Sequence, residues 1–358
     1  MSLAVPENIF PVNPRKTCQI GPYTLALPAV QAGLAGYSDM AMRVVARRRG
    51  CPFAVTEALL DRNILRGGHG KEKGAMLCPE DHPVAGQLMG QDPAELAEAA
   101  QILVGCGFDV IDLNFACPVK KVLGRCRGGY LLSDPEMAIT MLRTVRAAIS
   151  VPLTVKLRRA LDDTAEARDN FYRIMDECVR LGLAAVAVHG RTVEQKYTGR
   201  ANWDFLRDLV RAYPQMTILG SGDLFTAEDA YNMWRYSHVA GVWLARGAIG
   251  NPWIFTDFAA LLAGRPLPTP PMIHEQRAAL LEHLELAVRI YGDYVAAKQM
   301  RKIGIKFAKL HPQGHDLWRE FIACHNYAQW QAVMDKYYTA DGPGVRPPSV
   351  PDAEDVCK

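Results

Sequence analysis

From about Leu25 to Phe255 the chain repeats one unit, a short apolar run followed by a helical pattern, and this repetition limits the folds open to it. Strands are expected near Leu25–Ala32, Phe53–Thr56, Val84–Leu88, Val110–Asn114, Leu153–Leu157, Ala185–His189, Thr217–Gly220 and Gly241–Ala245. Helices are expected over Met40–Arg49, Pro93–Gly105 behind an Asp92 cap, Pro135–Ile149 behind Ser133-Asp134, Thr164–Leu181, Trp203–Ala212 and Ala227–Tyr236, with a last one opening at Pro252. Eight parallel strands point to a closed (β/α)8 TIM barrel, an α/β fold. The stretch Asp61–Asp81 shows no clear helix, so a doubly wound open sheet is the alternative.

In a barrel of this kind all strands deliver their carboxyl ends to one face. Gln87, Asn114 with Cys117, Lys156 with Arg158, His189 with Arg191, Ser221 and Arg246 all fall at such ends. Any one of them fits a structural role, a buried histidine or a snorkelling lysine for instance. Together they point to a catalytic mouth. Cys117 stands out because Pro118 stops the strand ladder there, and Lys120, Lys121, Arg125 and Arg127 surround the thiol with positive charge. That loop suits a polyanionic substrate. Gly220-Ser221-Gly222-Asp223 and Ala245-Arg246-Gly247-Ala248 follow the last two strands, where barrels commonly hold phosphate on backbone N–H groups.

Beyond Phe255 the pattern changes. The catalytic barrel is expected over residues 1–262, and Gly264-Arg265-Pro266-Leu267-Pro268-Thr269-Pro270-Pro271 gives a stiff linker over 263–272. A small helical bundle is expected over 273–338, and a disordered tail, rich in Pro, Gly and acid, over 339–358. Within the bundle Lys298, Lys302, Lys306 and Lys309 share one helix face with Arg301 alongside, while Met300, Ile303, Phe307 and Leu310 line the other. A basic helix beside a basic loop favours a phosphate backbone as partner.

Lys and Arg number 41 against 38 Asp and Glu, a net charge of +3, so any nucleic-acid argument rests on such local clusters. Nine cysteines form no Cys-x-x-Cys pair and no Cys/His metal spacing, which points to reduced thiols and no metal. With neither a signal peptide nor a membrane span in the pattern, the cytoplasm is the expected compartment.

Several segments resemble the tRNA-dihydrouridine synthases, their bacterial B-type branch above all. They are Ile20-Gly21 with Ala32-Gly33-Leu34-Ala35-Gly36-Tyr37-Ser38-Asp39, Leu113-Asn114-Phe115-Ala116-Cys117-Pro118-Val119-Lys120-Lys121-Val122, Val155-Lys156-Leu157-Arg158, Val188-His189-Gly190-Arg191-Thr192, and Ala245-Arg246-Gly247-Ala248-Ile249-Gly250-Asn251-Pro252-Trp253. The resemblance implies an FMN-containing barrel with a helical tRNA-recognition domain, which reduces uridine to 5,6-dihydrouridine in tRNA with NADPH as electron donor. It places flavin contacts on Gly33, Leu34, Ala35, Gln87, Lys156 and His189, and the phosphate near Ser221, Gly222, Asp223, Ala245 and Arg246. Cys117 matches the family's proton donor, with Lys156, His189 and Asn114 beside it. Lys120, Lys121, Arg158, Arg191, Lys298, Arg301, Lys302 and Lys306 are the expected RNA contacts, and a monomer is expected. Gly33, Ser221 and Ala245 stand where the family usually has proline, asparagine and glycine. The rival readings are an FMN barrel acting on a free small molecule, and a tRNA-binding protein without flavin.

Overall fold

A computed structural model describes residues 18–68 and 74–347. The parallel strands are β3 (Ala29–Gln31), β4 (Ala54–Val55), β6 (Val84–Met89), β7 (Val110–Phe115), β8 (Leu153–Arg158), β9 (Ala185–His189), β10 (Ile218–Ser221) and β11 (Gly241–Leu244). Each pairs with the next, β11 returns to β3, and β4 closes on β6, so the eight form a barrel and the open-sheet alternative falls. Strand β5 (Leu59–Leu60) adds a short rung on β6 beyond the ring.

The first strand run divides. Tyr23–Leu25 (β2) turns back onto Cys18–Ile20 (β1) as an antiparallel hairpin, and only Ala29–Gln31 enters the barrel. Cys18, Ile20 and Leu25 pack with Val30, Ala185, Leu219 and Trp243, so the hairpin stoppers the amino-terminal end of the barrel. That leaves the opposite end as the mouth. The irregular stretch after β4 also differs from expectation, since Asp61–Arg66 is a helix. Its six residues are too few for a periodic pattern to show in the sequence.

Strand parity decides what each end presents. Leu153, Val155 and Leu157 of β8 face the outer helices, within one large apolar cluster that includes Leu142, Val145 and Ile174. Thr154, Lys156 and Arg158 alternate with them and therefore point inward. The helices start where side chains cap them: Asp92 accepts from the Ala94 and Glu95 N–H groups, Thr164 from Ala167, and Asn202 from Phe205.

After the helix Ile254–Leu262 the chain runs without helix or strand to Ile273–Tyr291, followed by Asp293–Phe307, Gly314–Ala323 and Tyr327–Tyr337. Met300, Ile303, Phe307, Leu317, Phe321 and Trp330 form the core of these helices. Residues 341–347 are not the loose tail the composition suggested. Gly342 accepts from the Ile273 N–H, Val345 donates to the Leu310 carbonyl, and Arg346 pairs with Asp257 at 3.0 Å. Backbone pairing holds them where hydrophobic content is low. Residues 348–358 lie outside the described residues. No helix among the described residues is long and apolar enough to cross a membrane.

Candidate active site

Inward positions on five adjacent strands build the floor of the mouth. Register pairs Gln87 with Asp112, Asn114 with Lys156, and Arg158 with His189, which in turn pairs with Ser221. Asn114 donates to the Gln87 carbonyl oxygen at 2.8 Å, and its own carbonyl accepts the N–H groups of Ala116 (3.1 Å) and Cys117 (3.0 Å). The residue after the strand thus starts its loop on a side-chain amide. The Cys117 carbonyl accepts from the Gly129 N–H at 3.0 Å, so the loop closes back on its own base.

The charges around that loop divide into two sets. Lys120, Lys121 and Arg125 are exposed, as a polyanion site requires. Arg127 is not one of them: it is 5% exposed and lies 3.8 Å from the fully buried Asp61. Sequence alone does not separate an arginine that anchors a loop from one that lines it.

Lys156 is 8% exposed, and its ammonium donates to the Leu157 carbonyl. Burial, reinforced by Arg158, lowers its pKa to about 7, with Asp112 opposing. Burial raises Asp112 to about 6 against hydrogen bonds from Thr154 and Gln87 and the attraction of Lys156. His189 is held well below the ordinary histidine value, first by burial and then by Lys156, Arg158, Arg191 and Arg246, so its imidazole is neutral at physiological pH.

Arg158 and Arg191 occupy different roles from the RNA contacts expected of them. The Arg158 guanidinium donates to the carbonyls of Ala116, Thr192 and Lys196, and Arg191 donates to those of Thr198 and Gly199 while pairing with Asp223 at 2.8 Å. At 2% and 3% exposure they are framework, tying the Cys117 loop and the loop after β9 to the barrel. Arg158 and Arg246 both lie over the Tyr197 ring, at 5.5 and 4.8 Å, and Arg246 also covers Phe225. Tyr197 carries no sign in the sequence because it sits eight residues past its strand.

Lys302 is likewise partly used. It donates to the Gly36 carbonyl at 2.6 Å, whereas Lys298 is exposed and bonds Tyr294. Arg301 and Lys306 are half-buried on the same helix.

The mouth fits a phosphorylated flavin on its own donor set. Gly33, Leu34 and Ala35 line the rim after β3, with the Leu34 N–H fixed on Ser38 Oγ at 2.9 Å. The Lys156 amino group, a neutral imidazole and two side-chain amides lie below. At the β10 and β11 ends Ser221 is buried, Gly222 takes a φ of +122°, and a Cβ there would fall 2.5 Å from Ala201 Cβ and 3.4 Å from His189 Nε2. Asp223 spends its carboxylate on Arg191 and the Ala201 N–H, so an anion at this turn would meet backbone N–H groups rather than that side chain.

A model described as dihydrouridine synthase (Dus) matches residues 30–339. Over 334 residues the chain is 34% identical to tRNA-dihydrouridine synthase B of Xanthomonas campestris pv. campestris, covering 92% of this chain and 98% of that one. The protein of the same name from Shewanella oneidensis is 33% identical, covering 82% and 87%, and a probable tRNA-dihydrouridine synthase of Mycobacterium tuberculosis is 29% identical, covering 91% and 86%. Among solved structures the chain is similar in fold to histamine dehydrogenase from Rhizobium sp. 4-9 (TM-score 0.53, 14% identity, 70% of this chain and 48% of that). It is also similar to TcOYE with pHBA (TM-score 0.53, 12% identity, 72% and 94%). With a family model matched across both the barrel and the helices, and relatives named tRNA-dihydrouridine synthase B aligned nearly end to end, the chain belongs to the dihydrouridine synthase family.

Proposed function

We propose that this protein reduces uridine in tRNA to 5,6-dihydrouridine, with FMN held in the barrel mouth, NADPH as reductant, and Cys117 as the acid. What supports the reading most is that the Asn114 carbonyl pins the backbone of Cys117 at the end of β7, with Lys156 on the adjacent strand.

When bound, the flavin supplies a hydride to uracil C6. The remaining work falls to side chains. Reduction at C6 leaves negative charge that is quenched by a proton at C5, and the Cys117 thiol delivers it. Asn114 orients the base. Gln87, Lys156 and His189 would hold the isoalloxazine, the Lys156 ammonium favouring negative charge on it and the neutral His189 adding a hydrogen-bonding ring without charge. Ser221, Gly222, Asp223, Ala245 and Arg246 would receive the phosphate.

Residues 1–262 form the catalytic unit and 273–338 the tRNA-recognition unit in this reading, with Lys120, Lys121, Lys298, Arg301 and Lys306 as phosphate contacts. The target nucleotide leaves its stack to reach the mouth, at least cost when unpaired. The deciding experiment is Cys117→Ala assayed on tRNA. Retained flavin absorbance near about 450 nm with dihydrouridine formation lost supports the role. Full turnover removes it. Activity on free uracil or orotate would favour the small-molecule reading, and a colourless protein that cannot be reconstituted with FMN would favour the flavin-less one.

A further inference from the structure

The polar floor beneath Asn114 contains a residue that no role above accounts for. Asp112 is fully buried two positions before Asn114, on the same inward face of β7. An ionised carboxylate only accepts hydrogen bonds. Its Oδ1 takes the Thr154 hydroxyl proton at 2.6 Å, and its Oδ2 takes a Gln87 Nε2 proton at 2.8 Å. With its amino group turned down to Asp112, Gln87 has only its carbonyl oxygen for Asn114, whose Nδ2 donates to it. Asn114 then has its own carbonyl left for the N–H groups of Ala116 and Cys117. Each link leaves the next one orientation.

We propose that Asp112 is a positioning residue whose carboxylate sets the direction of the Gln87–Asn114 amide relay and so fixes the backbone from which the Cys117 thiol projects. Neutral amides have no preferred sense, because either end can donate or accept, so the sense comes from the one member that cannot donate. Burial raises the carboxylate's pKa, and the hydrogen bonds from Thr154 and Gln87, followed by the charge of Lys156 on the neighbouring strand, oppose that rise. Replacing Asp112 with asparagine frees the first link to run in either sense. In the reversed sense the introduced amide donates its N–H to the Gln87 carbonyl, Gln87 donates to Asn114, and the Cys117 N–H loses its acceptor.

The proposal rests on the reading above only for the use made of Cys117, and its test does not need turnover. Flavin-loaded protein is treated with iodoacetamide and alkylation is followed peptide by peptide, with the exposed Cys126 of the same loop as reference. Asp112→Asn should raise the Cys117 rate about threefold or more relative to Cys126, as the loop loses its tether. Gln87→Glu alone sets two carboxylates face to face and should also disturb it. Combined, the two substitutions should bring the rate back to within about twofold of wild type, since the carboxylate introduced at position 87 accepts from the amide introduced at position 112 below it and from Asn114 above. Rates unchanged in both single variants, or single effects that simply multiply in the double variant, would overturn the proposal. If Asp112→Asn does not fold, Gln87→Glu against the double variant carries the same comparison. An active Cys117→Ala enzyme would sink the acid role yet leave this order of rates standing.

Discussion

The Lys302 ammonium, on the helix Asp293–Phe307, donates at 2.6 Å to the carbonyl oxygen of Gly36, in the loop that follows the first barrel strand. It also lies 5.3 Å from the Tyr37 ring, while Glu57 takes the Gly36 N–H at 2.7 Å and Tyr291 bonds Asp39 at 3.0 Å. The rim that carries Gly33, Leu34 and Ala35 is therefore held from the helical side of the molecule. One lysine of the basic face serves this joint, and in the proposed reading Lys298 and Arg301 meet the RNA.

This division predicts two phenotypes from one helix. Lys302→Ala should loosen the rim and lower flavin retention, seen as earlier release of flavin fluorescence on heating. Replacing Lys298 and Arg301 by alanine should leave retention unchanged and weaken tRNA binding. A salt titration should show the slope reduced by roughly one for each phosphate that is no longer neutralised. Equal effects of both changes on flavin would refute the division.

In the proposed reading Lys156 supplies the buried cationic group beside the flavin. Lys156→Met should cost turnover by on the order of 10²-fold and weaken flavin binding, because the replacement keeps the volume and removes the ammonium. Stopped-flow reduction by NADPH and an absorbance titration with FMN measure the two effects separately.

His189 should stay neutral well into the acid range, since burial and the Lys156, Arg158, Arg191 and Arg246 charges all oppose its protonation. Nitrogen-15 spectra of labelled histidine should show a neutral ring at about pH 6, where an ordinary histidine is largely charged. An ordinary titration there would mean that the imidazole reaches water.

Glu177 predicts an acid-stability difference. Arg180 first and Arg143 second hold its carboxyl down to about 2, from an ordinary 4.5. A carboxyl lowered on folding stabilises above its unfolded value, and that contribution is lost as pH falls from about 4.5 towards 2. Both arginines are more than half exposed, so screening reduces the gain. Glu177→Gln should be less stable by about 1 kcal/mol at neutral pH, with the gap closing by about pH 2 in urea titrations.

Gly33 stands where the resemblance gives proline, yet a Cβ at this position would sit 2.1 Å from the Thr56 carbonyl oxygen. That contact is backbone and has little room to yield. Gly33→Ala should cost about 1–3 kcal/mol and shift the rim, detectable as a lower melting temperature of the flavin-loaded protein.

The barrel was legible because its units repeat at full length. Val110–Phe115 and Leu153–Arg158 form clear runs, and their polar ends stand out against them. The short pieces were hidden: Leu59–Leu60 and Asp61–Arg66 are fixed by neighbours rather than by their own pattern. Side-chain roles divided along the same line. Cys117, Asn114 and Lys156 could be placed by strand position, but whether Arg127, Arg158 and Arg191 face solvent or the barrel wall depends on partners far away in the chain. Asp112 carried a usable sign, an acid in phase with Asn114 on a buried strand, and only the hydrogen bonds gave it a meaning.

The ring of strands is unevenly joined. β7 and β8 share five paired positions, while β3 and β4 meet only at Gln31 and Ala54. The amides flanking that splice should exchange with deuterium sooner than those of β7 and β8, because few rungs must break to open it. Breathing of the barrel would then begin beside the rim at Gly33, while the wall that carries Cys117 stays shut.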